Sequence, residues 1–369
     1  MNNGYIKNIG VSINAMIAVD DYIYMSDRYS GGLFRFNIKT SKLDYCGDLS
    51  EDVDVQKAVL YYKILKYRDE LYFIPFNAHS IGIYNIKTGK ISHIKLWPDI
   101  GETKCKFVSA SIIDEKLYML GYEVAFLIVF DLKKNQFCCV DGVNIKLQEL
   151  LNNTPKWNVY AQTYVDGHIY AVIIDKNFLI DINVRKGDCS IIEIKGAQTG
   201  FGAIAKKENM LFLCPYGRDR FVKYDIKNST FNFYENKCEV SDWEYVTSIV
   251  LKNVFYALPC LANSAIFIDT ENDEIGEVKG FNYFADKRYP ITEAISYGSF
   301  LFCNRQDLNE IITYNVDDGR TSVIKLVVEK YPISLIDKSM RMENKYFSLS
   351  DYVDYVQAIE FKNEVNKLV

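Results

Sequence analysis

Residues 70–89 read ELYFIPFNAHSIGIYNIKTG: an aromatic strand, a loop, a second strand and a tight turn. In this stretch Tyr72 is followed, thirteen residues later, by Asn85 at the start of the turn. An aromatic residue and an Asn or Asp recur at this spacing seven times along the chain. The seven pairs, whose aromatic members we call the anchor residues, are Tyr24 and Asn37, Tyr72 and Asn85, Tyr118 and Asp131, Tyr170 and Asn183, Phe212 and Asp225, Tyr256 and Asp269, and Phe302 and Asn315.

Successive anchor residues are 42 to 52 residues apart. Each unit contains four strand-like segments, which in the second unit span residues 61–66, 71–74, 81–84 and 91–96. A period of this length with several short strands per unit is the signature of a radial β-repeat. The sequence therefore predicts an all-β fold, a seven-bladed β-propeller of four-stranded antiparallel blades, over residues 1–330.

Local chemistry explains the recurring residues of the unit. Asn and Asp start turns because their side chains bond the backbone two residues further on. Seven copies at one place therefore predict turn formation and not a metal-binding or catalytic set, while the anchor aromatics are predicted to pack between adjacent blades. Pro75, Pro215 and Pro259 each follow an anchor by three residues. They are predicted to end the second strands, because proline lacks the N–H that a strand ladder requires.

Two segments fall outside the seven units. Residues 144–151 are predicted to form one or two helical turns between the third and fourth units. Residues 331–369 form a predicted C-terminal extension, in which helical spacing over 349–359 and a cap at Ser350 indicate a short helix. A second interpretation takes Phe347 as an eighth anchor with Glu360 thirteen residues later, and residues 5–9 as the outer strand that closes the ring. Glu is a poor turn starter, which favours seven blades.

The repeat resembles bacterial β-propeller repeats of the Kelch, YVTN and WD-repeat kinds, over residues 14–327. The resemblance concerns architecture, because the Gly-His and Trp-Asp dipeptides of WD repeats and the paired-glycine strand of Kelch repeats are absent. It implies a rigid scaffold that presents a binding face, and the same fold supports many unrelated functions.

Composition restricts the classes of partner. The chain of 369 residues has a formal net charge of −5 and a pI near 5.5, which argues against nucleic acid, since phosphate binding needs a basic face. No apolar run approaches the length of a signal peptide or membrane span, so we expect a cytoplasmic protein without membrane contact. The excess of Lys, Asn, Ile and Tyr indicates an AT-rich bacterial genome.

Motifs for metal, cofactor or nucleophilic chemistry are scarce. Three histidines, at positions 79, 93 and 168, are too few and too scattered for a zinc or iron cluster, so we predict no transition-metal site and no cofactor. The segment 200–202, Gly-Phe-Gly, lacks the third glycine and the helix of a dinucleotide site. Cysteines within strand patterns, such as Cys46, Cys139, Cys214 and Cys303, are interpreted as small core residues and not as a disulfide framework.

Function is expected at one face of the ring. The loops between second and third strands and the links between blades share a face around the central channel, which we call the channel-side face, and these loops differ from blade to blade. Aromatic and arginine side chains are the usual anchors of interfaces. The predicted binding residues are Arg28, Tyr29, His79, Tyr122, Tyr216, Arg218, Arg220, Trp243, Arg288 and Arg305.

Two functional hypotheses remain open at this point. The absence of catalytic motifs favours a non-catalytic recognition or scaffolding propeller that binds a protein, peptide or glycan. The alternative is a lyase, hydrolase or epimerase that acts on a peptide or sugar in the channel mouth, with catalytic residues that the sequence does not reveal. For the loop at 216–220 there is also a structural alternative, in which Arg218 and Arg220 pair with Asp219 and with neighbouring loops.

Overall fold

A computed structural model describes residues 5–50, 59–97, 105–123, 125–151, 158–217, 219–235, 245–260, 262–281, 291–305, 308–332 and 334–335. All structural statements below concern these residues. The predicted C-terminal helix, Phe347 and Glu360 lie outside them.

The chain begins with two short strands, β1 (Tyr5–Ile6) and β2 (Ile9–Gly10), and then forms seven sheets of four strands. Blade 1 holds β3 (Ile13–Val19), β4 (Tyr22–Asp27), β5 (Gly32–Asn37) and β6 (Lys42–Asp48). Blade 2 holds β7 (Tyr61–Tyr67), β8 (Glu70–Pro75), β9 (Ser80–Asn85) and β10 (Ile91–Lys95). Blade 3 holds β11 (Ala110–Ile113), β12 (Lys116–Leu120), β13 (Leu127–Asp131) and β14 (Gln136–Cys138), and is followed by helix α1 (Asp141–Leu151).

Blade 4 holds β15 (Val159–Val165), β16 (His168–Ile173), β17 (Lys176–Asn183) and β18 (Asp188–Glu193). Blade 5 holds β19 (Phe201–Lys207), β20 (Met210–Pro215), β21 (Phe221–Asp225) and β22 (Thr230–Tyr234). Blade 6 holds β23 (Tyr245–Leu251), β24 (Val254–Pro259), β25 (Ile266–Asp269) and β26 (Ile275–Glu277). Blade 7 holds β27 (Ala294–Tyr297), β28 (Phe300–Arg305), β29 (Glu310–Asn315) and β30 (Thr321–Lys325), and β31 (Val327–Val328) and β32 (Tyr331–Pro332) follow.

Every blade is an antiparallel meander of consecutive strands. The first strands of neighbouring blades contact one another around the ring, so they line the central channel. The second strands of blades 2, 5 and 6 end at Pro75, Pro215 and Pro259, as the sequence predicts. The structure therefore confirms the seven-bladed, four-stranded propeller.

The core lies between the blades. Seven clusters of buried apolar residues fill the seven seams, and each contains one anchor residue. All seven anchors are at most 7% exposed, which confirms that they pack between blades. Burial of this kind stabilises each blade only in the presence of its neighbour, as expected for a repeat architecture.

The seven Asn and Asp residues form turns, as predicted. In each copy the side-chain oxygen accepts a hydrogen bond from a backbone N–H two or three residues later. Asn37, for example, accepts from the N–H groups of Lys39 and Thr40 at 3.0 and 2.9 Å. These residues are thus committed to the hairpins between third and fourth strands.

Two short strand pairs join the segment before blade 1 to the segment after blade 7 and so close the ring. Strand β1 pairs with β32 and β2 pairs with β31, so each closure ladder is only two residues long. A buried group of side chains supports them: the Tyr331 hydroxyl donates to Oδ2 of Asp27 at 3.1 Å, and Ser30 donates to the same oxygen through its backbone N–H and its hydroxyl. Tyr331 also stacks on Phe34. The residues of the predicted extension at 331–332 therefore pack against blade 1.

Helix α1 covers the predicted helical segment and begins slightly earlier, at Asp141. Asn144 fixes it to blade 3, because its side chain accepts from the N–H of Leu127 at 2.7 Å and donates to the carbonyl of Leu127 at 3.1 Å. Strand β14 ends at Cys138, so Cys139 lies after the strand and is exposed, contrary to the prediction that it sits within one. Beyond Cys138, the Asn144 side chain bonds the backbone of β13 at Leu127.

Candidate functional site

Five first strands share a local irregularity at their channel-side ends. In blades 1, 2, 4, 5 and 6 the register between first and second strands shifts by one residue after the first pair. A β-bulge of this type re-aims a side chain and is frequent beside functional sites. The bulged residue always lies ten positions before the anchor, and the five are Asn14, Tyr62, Tyr160, Gly202 and Val246.

Three of the bulged residues, Tyr62, Tyr160 and Val246, meet side chains that follow the second strands. Together they form a cluster at the channel-side end of blades 2 to 6, which we call the mouth cluster. Its members are Tyr62, Phe76, Tyr122, Tyr160, Ile174, Tyr216, Val246 and Cys260.

Four rings of the mouth cluster contact one another in a closed cycle. Phe76 lies 5.2 Å from Tyr62 and 6.2 Å from Tyr122, between ring centroids. Tyr160 lies 5.9 Å from Tyr122 and 6.3 Å from Tyr62, in both cases edge to face. The hydroxyls of Tyr62 and Tyr160 are hydrogen-bonded at 2.7 Å. Tyr62, Phe76 and Tyr122 are half-buried, so this cycle presents aromatic surface and phenol oxygens at one end of the channel.

Glycines allow the backbones of blades 4, 5 and 6 to converge beneath the mouth cluster. A Cβ on Gly200 would lie 2.0 Å from the carbonyl oxygen of Ile174, and one on Gly202 would lie 2.5 Å from that of Tyr245. No side chain fits at such distances. The Gly-Phe-Gly segment, which does not match a dinucleotide motif, is therefore explained by close backbone approach.

A charged pair lies next to the aromatic cycle. Lys63 in β7 donates to Oε1 of Glu293 at 2.8 Å. Both residues lie nine positions before an anchor. Lys63 pairs with Ile74, and Glu293 accepts a backbone hydrogen bond from Asn304, and these two partners each lie two residues after an anchor. The pair therefore spans from blade 2 to blade 7, past blade 1. Glu293 is 4% exposed, whereas the side chain of Lys63 is 33% exposed.

Amides and a guanidinium extend this polar region across blade 1. Asn14 donates to the carbonyl of Tyr61 at 2.9 Å, and Arg28 donates to Oδ1 of Asn14 at 3.3 Å. Asn304, fully buried, donates to the carbonyl of Ile13 at 3.1 Å and accepts from the N–H of Glu293 at 2.8 Å. Blades 7, 1 and 2 thus contribute a hydrogen-bonded polar arc, opposite the aromatic arc of blades 2 to 6.

Burial determines the protonation states in the mouth. It raises the pKa of the Tyr62 and Tyr160 phenols well above the usual range, and that of Tyr122 to about 12. Burial also raises the pKa of the Cys260 thiol to about 12. For Glu293 the pKa is raised by burial, and the nearby Lys63 ammonium partly offsets this effect. The phenols and the thiol therefore stay protonated near neutral pH and act as hydrogen-bonding groups.

Some of the residues predicted from the sequence meet at this mouth. Tyr122 and Tyr216 belong to the mouth cluster, and Arg28 lies at the edge of the polar arc. Tyr29 is half-buried, with the guanidinium of Arg28 5.7 Å from its ring centroid. His79 is exposed on the loop between β8 and β9.

Other predicted residues form hydrogen bonds and ion pairs with neighbouring residues. Arg220 donates to the carbonyl of Gly196 at 2.6 Å, pairs with Asp219 and lies over the ring of Phe233, 4.4 Å from its centroid. This geometry matches the structural alternative for that loop. Arg305 pairs with Glu310 of its own hairpin at 3.2 Å. Arg218, Trp243 and Arg288 lie outside the described residues.

Sequence reasoning missed the residues on the first strands. Asn14, Tyr62 and Tyr160 lie ten positions before an anchor, and Lys63 and Glu293 nine positions before one. These residues can be recognised when the seven repeats are aligned on their anchor residues. At the ninth position before the anchor, blades 2 and 7 have a lysine and a glutamate, whereas the other five blades have small residues. These five are Ala15, Ser109, Ala161, Ala203 and Thr247.

The opposite face, formed by the hairpins, carries contacts between adjacent blades. Tyr297 of blade 7 donates to Asp21 of blade 1 at 2.8 Å, and Tyr67 of blade 2 donates to Glu115 of blade 3 at 2.7 Å. Lys207 of blade 5 donates to the Thr270 hydroxyl of blade 6 at 2.7 Å. These bonds connect blades at their surface, so we assign this face a structural role.

Metal and membrane sites receive no support from the part of the chain that the structure describes. There, three or more His, Cys, Asp or Glu side chains nowhere form a group that could hold a metal ion. Nor does any described helix have the length and apolar character to cross a bilayer. The absence of a cofactor stays a prediction.

Comparisons with known proteins place the fold but no family. No protein-family model matches the chain, and no curated protein matches it in sequence. Among solved structures, virginiamycin B lyase from Staphylococcus aureus, as a catalytically inactive variant with quinupristin, is 11% identical with a TM-score of 0.62, over 82% of this chain and 96% of that chain.

Two further structures share the architecture. The extracellular domain of a one-component system from B. thetaiotaomicron is 11% identical with a TM-score of 0.61, over 85% of this chain and 43% of that chain. A chain of the mitotic checkpoint complex is 7% identical with a TM-score of 0.59, over 88% of this chain and 92% of that chain. At these identities the likeness shows the fold alone: the protein is a seven-bladed β-propeller.

Proposed function

We propose that this chain is a non-catalytic recognition or scaffolding propeller that binds a protein, peptide or glycan at its channel-side face. One observation carries the proposal. Bulges at the same position in five blades lie at one end of the channel, where the bulged Tyr62 and Tyr160 belong to a half-buried aromatic cycle and the bulged Asn14 belongs to a polar arc. Rigid aromatic surface beside hydrogen-bonding groups is the usual composition of a binding site.

The protonation states support binding over catalysis. A cysteine nucleophile must be a thiolate, whereas burial raises the pKa of Cys260 to about 12. The phenols of Tyr62 and Tyr160 bond each other and remain protonated, so they are poor general bases near neutral pH. Such groups suit recognition, in which they donate and accept hydrogen bonds without transferring protons.

The structural relatives are compatible with a partner-binding role. One belongs to the mitotic checkpoint complex, and another is the extracellular domain of a one-component system. We infer by analogy that this chain also presents a face to a partner. Its low net charge and the sequence without an apolar span lead us to propose a cytoplasmic location.

The proposal is tested by probing the full chain with a glycan array and a displayed peptide library. Binders are then measured against a mouth variant, Arg28→Ala with Tyr122→Ala, and against a matched hairpin-face variant, Arg68→Ala with Glu115→Ala. We expect the mouth variant to lose binding while its melting temperature stays close to that of the hairpin-face variant. Equal loss in both variants, or loss only in the hairpin-face variant, contradicts the proposal.

A second function, an enzyme acting in the same mouth, is favoured by Glu293. This carboxyl is buried, its pKa is raised, and it lies beside an ammonium group, an arrangement often found at catalytic sites. Virginiamycin B lyase, a solved structure of similar fold, is compatible with this second function. If a bound peptide or sugar is cleaved or isomerised by the wild type and left intact by Glu293→Gln, the enzyme is the correct function.

A further inference from the structure

The Lys63–Glu293 pair is an unusual feature of the channel wall. Five of the seven equivalent positions carry Ala, Ser or Thr, so Lys63 and Glu293 are the two long side chains at this position of the repeat. Glu293 is almost fully buried, while a third of the Lys63 side chain is exposed. Water, or a ligand in the mouth, therefore reaches the pair from the lysine side.

The charge of the pair limits the ligand chemistry. A ligand carboxylate that bonds Lys63 lies close to the Glu293 carboxylate, and a ligand ammonium that bonds Glu293 lies close to Lys63, so a charged ligand group meets a like charge in a half-buried site, which is costly. An uncharged group with an adjacent donor and acceptor avoids this cost. It accepts a hydrogen bond from the ammonium, which has three N–H donors and gives one to Glu293, and donates to a carboxylate oxygen.

The surroundings of the pair suit a ring with polar edges and apolar faces. Tyr62 is the bulged residue directly before Lys63, and its ring belongs to the aromatic cycle with Phe76 and Tyr122. Aromatic rings bind the C–H faces of a flat ligand through dispersion and apolar burial. The phenol oxygens, the amide of Asn14 and the guanidinium of Arg28 surround it with further hydrogen-bonding groups.

We propose that the mouth takes an uncharged sugar ring, whose neighbouring hydroxyls bridge Lys63 and Glu293 while its face lies on the aromatic cycle. This inference rests on the proposed function and narrows it from a protein, peptide or glycan to a neutral glycan. Vicinal hydroxyls offer the adjacent donor and acceptor that the pair requires, and the alternation of C–H face and O–H edge matches the two arcs. A peptide amide shares the donor and acceptor but has no apolar ring face.

The test uses the full chain on an array of neutral and anionic oligosaccharides, followed by calorimetric titration of the tightest neutral binder. Loss of a hydrogen bond to a charged group weakens binding by about tenfold to a hundredfold, and we expect this loss in Lys63→Met and in Glu293→Gln. The matched control is Lys223→Met with Asp273→Asn, which removes a different ion pair between blades 5 and 6. We expect this control to bind the sugar as the wild type does.

A charge-swapped variant distinguishes loss of sugar binding from loss of folding. Lys63→Glu combined with Glu293→Lys retains the opposite charges across the channel, so its melting temperature should remain nearer to the wild type than that of Lys63→Met. Its sugar affinity should still fall, because donor and acceptor have exchanged places. Unchanged affinity in this variant overturns the inference, as does a preference for anionic sugars.

The outcomes also separate this inference from the proposed function. If peptides bind, and the mouth variant loses them, while no neutral sugar binds at millimolar concentrations, the sugar inference fails and the recognition function stands. If no peptide, protein or glycan binding depends on the mouth, both fail. A neutral sugar bound equally by wild type and by Lys63→Met places the sugar elsewhere and refutes the inference.

Discussion

Lys63 of blade 2 and Glu293 of blade 7 form an ion pair of 2.8 Å although 230 residues separate them in sequence. The pair passes blade 1, the blade against which Tyr331 of β32 packs. Because the two closure ladders contain only two residue pairs each, this contact adds a connection across the junction of the ring. The same two residues thus contribute to ring closure and line the proposed binding mouth.

Removal of Lys63 should be more destabilising than removal of the Glu293 charge. Lys63→Met leaves a carboxylate that is 4% exposed without its partner, and a buried unpaired charge costs about 1–3 kcal/mol or more. Glu293→Gln leaves an ammonium that already reaches water, so we expect a smaller loss. Chemical denaturation of both variants measures the difference, and an equal or reversed order would contradict this reading of burial.

The loss of unfolding free energy caused by Lys63→Met should also depend on pH. Burial raises the pKa of Glu293, and loss of the ammonium raises it further, so the variant's carboxyl binds a proton more readily in the folded state. A raised pKa contributes stability at low pH that is lost as pH rises through the folded-state pKa. The difference in unfolding free energy between wild type and variant should therefore become smaller as the pH falls. A gap that widens in acid would refute the assignment.

The buried Asp27 gives a second pH-dependent expectation. Burial raises its pKa above the ordinary 3.8, against the lowering effect of the Ser30 hydrogen bonds. Asn at this position resembles the protonated form, so Asp27→Asn should gain stability relative to wild type as pH rises above about 4. The exposed Asp114→Asn variant serves as the control and should show no such trend. Unfolding titrations at several pH values measure it.

Gly200 should not tolerate a side chain. A Cβ there would lie 2.0 Å from the carbonyl oxygen of Ile174, so Gly200→Ala must displace the link between blades 4 and 5. We expect a loss of at least about 1–3 kcal/mol in unfolding free energy. Gly142→Ala, in helix α1 with no atom within 4 Å of the new Cβ, is the matched control and should be neutral or gain up to about 1 kcal/mol.

Asn144 should be essential for the position of helix α1. Asn144→Ala leaves the buried N–H and carbonyl of Leu127 without their partners, at about 1–3 kcal/mol for each unsatisfied group. Gln148→Ala, an exposed change on the same helix, should stay within about 0.5 kcal/mol of wild type. Thermal melts measure the difference in stability between the two variants. Similar melting temperatures would show that Asn144 does not fix the helix to blade 3.

The fold was predictable because its signals are local and repeated. Tyr72 packs between blades and Asn85 starts a turn, and their equivalents have the same roles in every blade. Seven copies of each signal therefore reinforce one another in the sequence. Pro75 stops its strand for a reason that depends on one residue alone. Helix α1 was found from its spacing, although the anchoring role of Asn144 was not.

The site was less predictable because its geometry is not local. A bulge changes where Tyr62 points without changing the residue pattern, so the first strands appeared to be ordinary sheet. Lys63 and Glu293 meet only when the ring closes. Arg220 and Arg305 read as ligand-binding residues by type, but neighbouring Asp219 and Glu310 pair with them. Tyr122 and Tyr216, predicted from the sequence, belong to the mouth cluster because they directly follow the second strands, where loops of the channel-side face begin.

The most direct test of the account is a ¹⁹F NMR titration of protein labelled with 3-fluorotyrosine. Tyrosines lie at both ends of the first strands, with Tyr62 and Tyr160 in the mouth and Tyr67 and Tyr164 toward the hairpin face. Tyr→Phe variants assign the four signals. On addition of the tightest-binding glycan or peptide, we predict shifts for Tyr62 and Tyr160 and unchanged signals for Tyr67 and Tyr164. Shifts confined to Tyr67 and Tyr164 would place binding on the hairpin face and contradict the account.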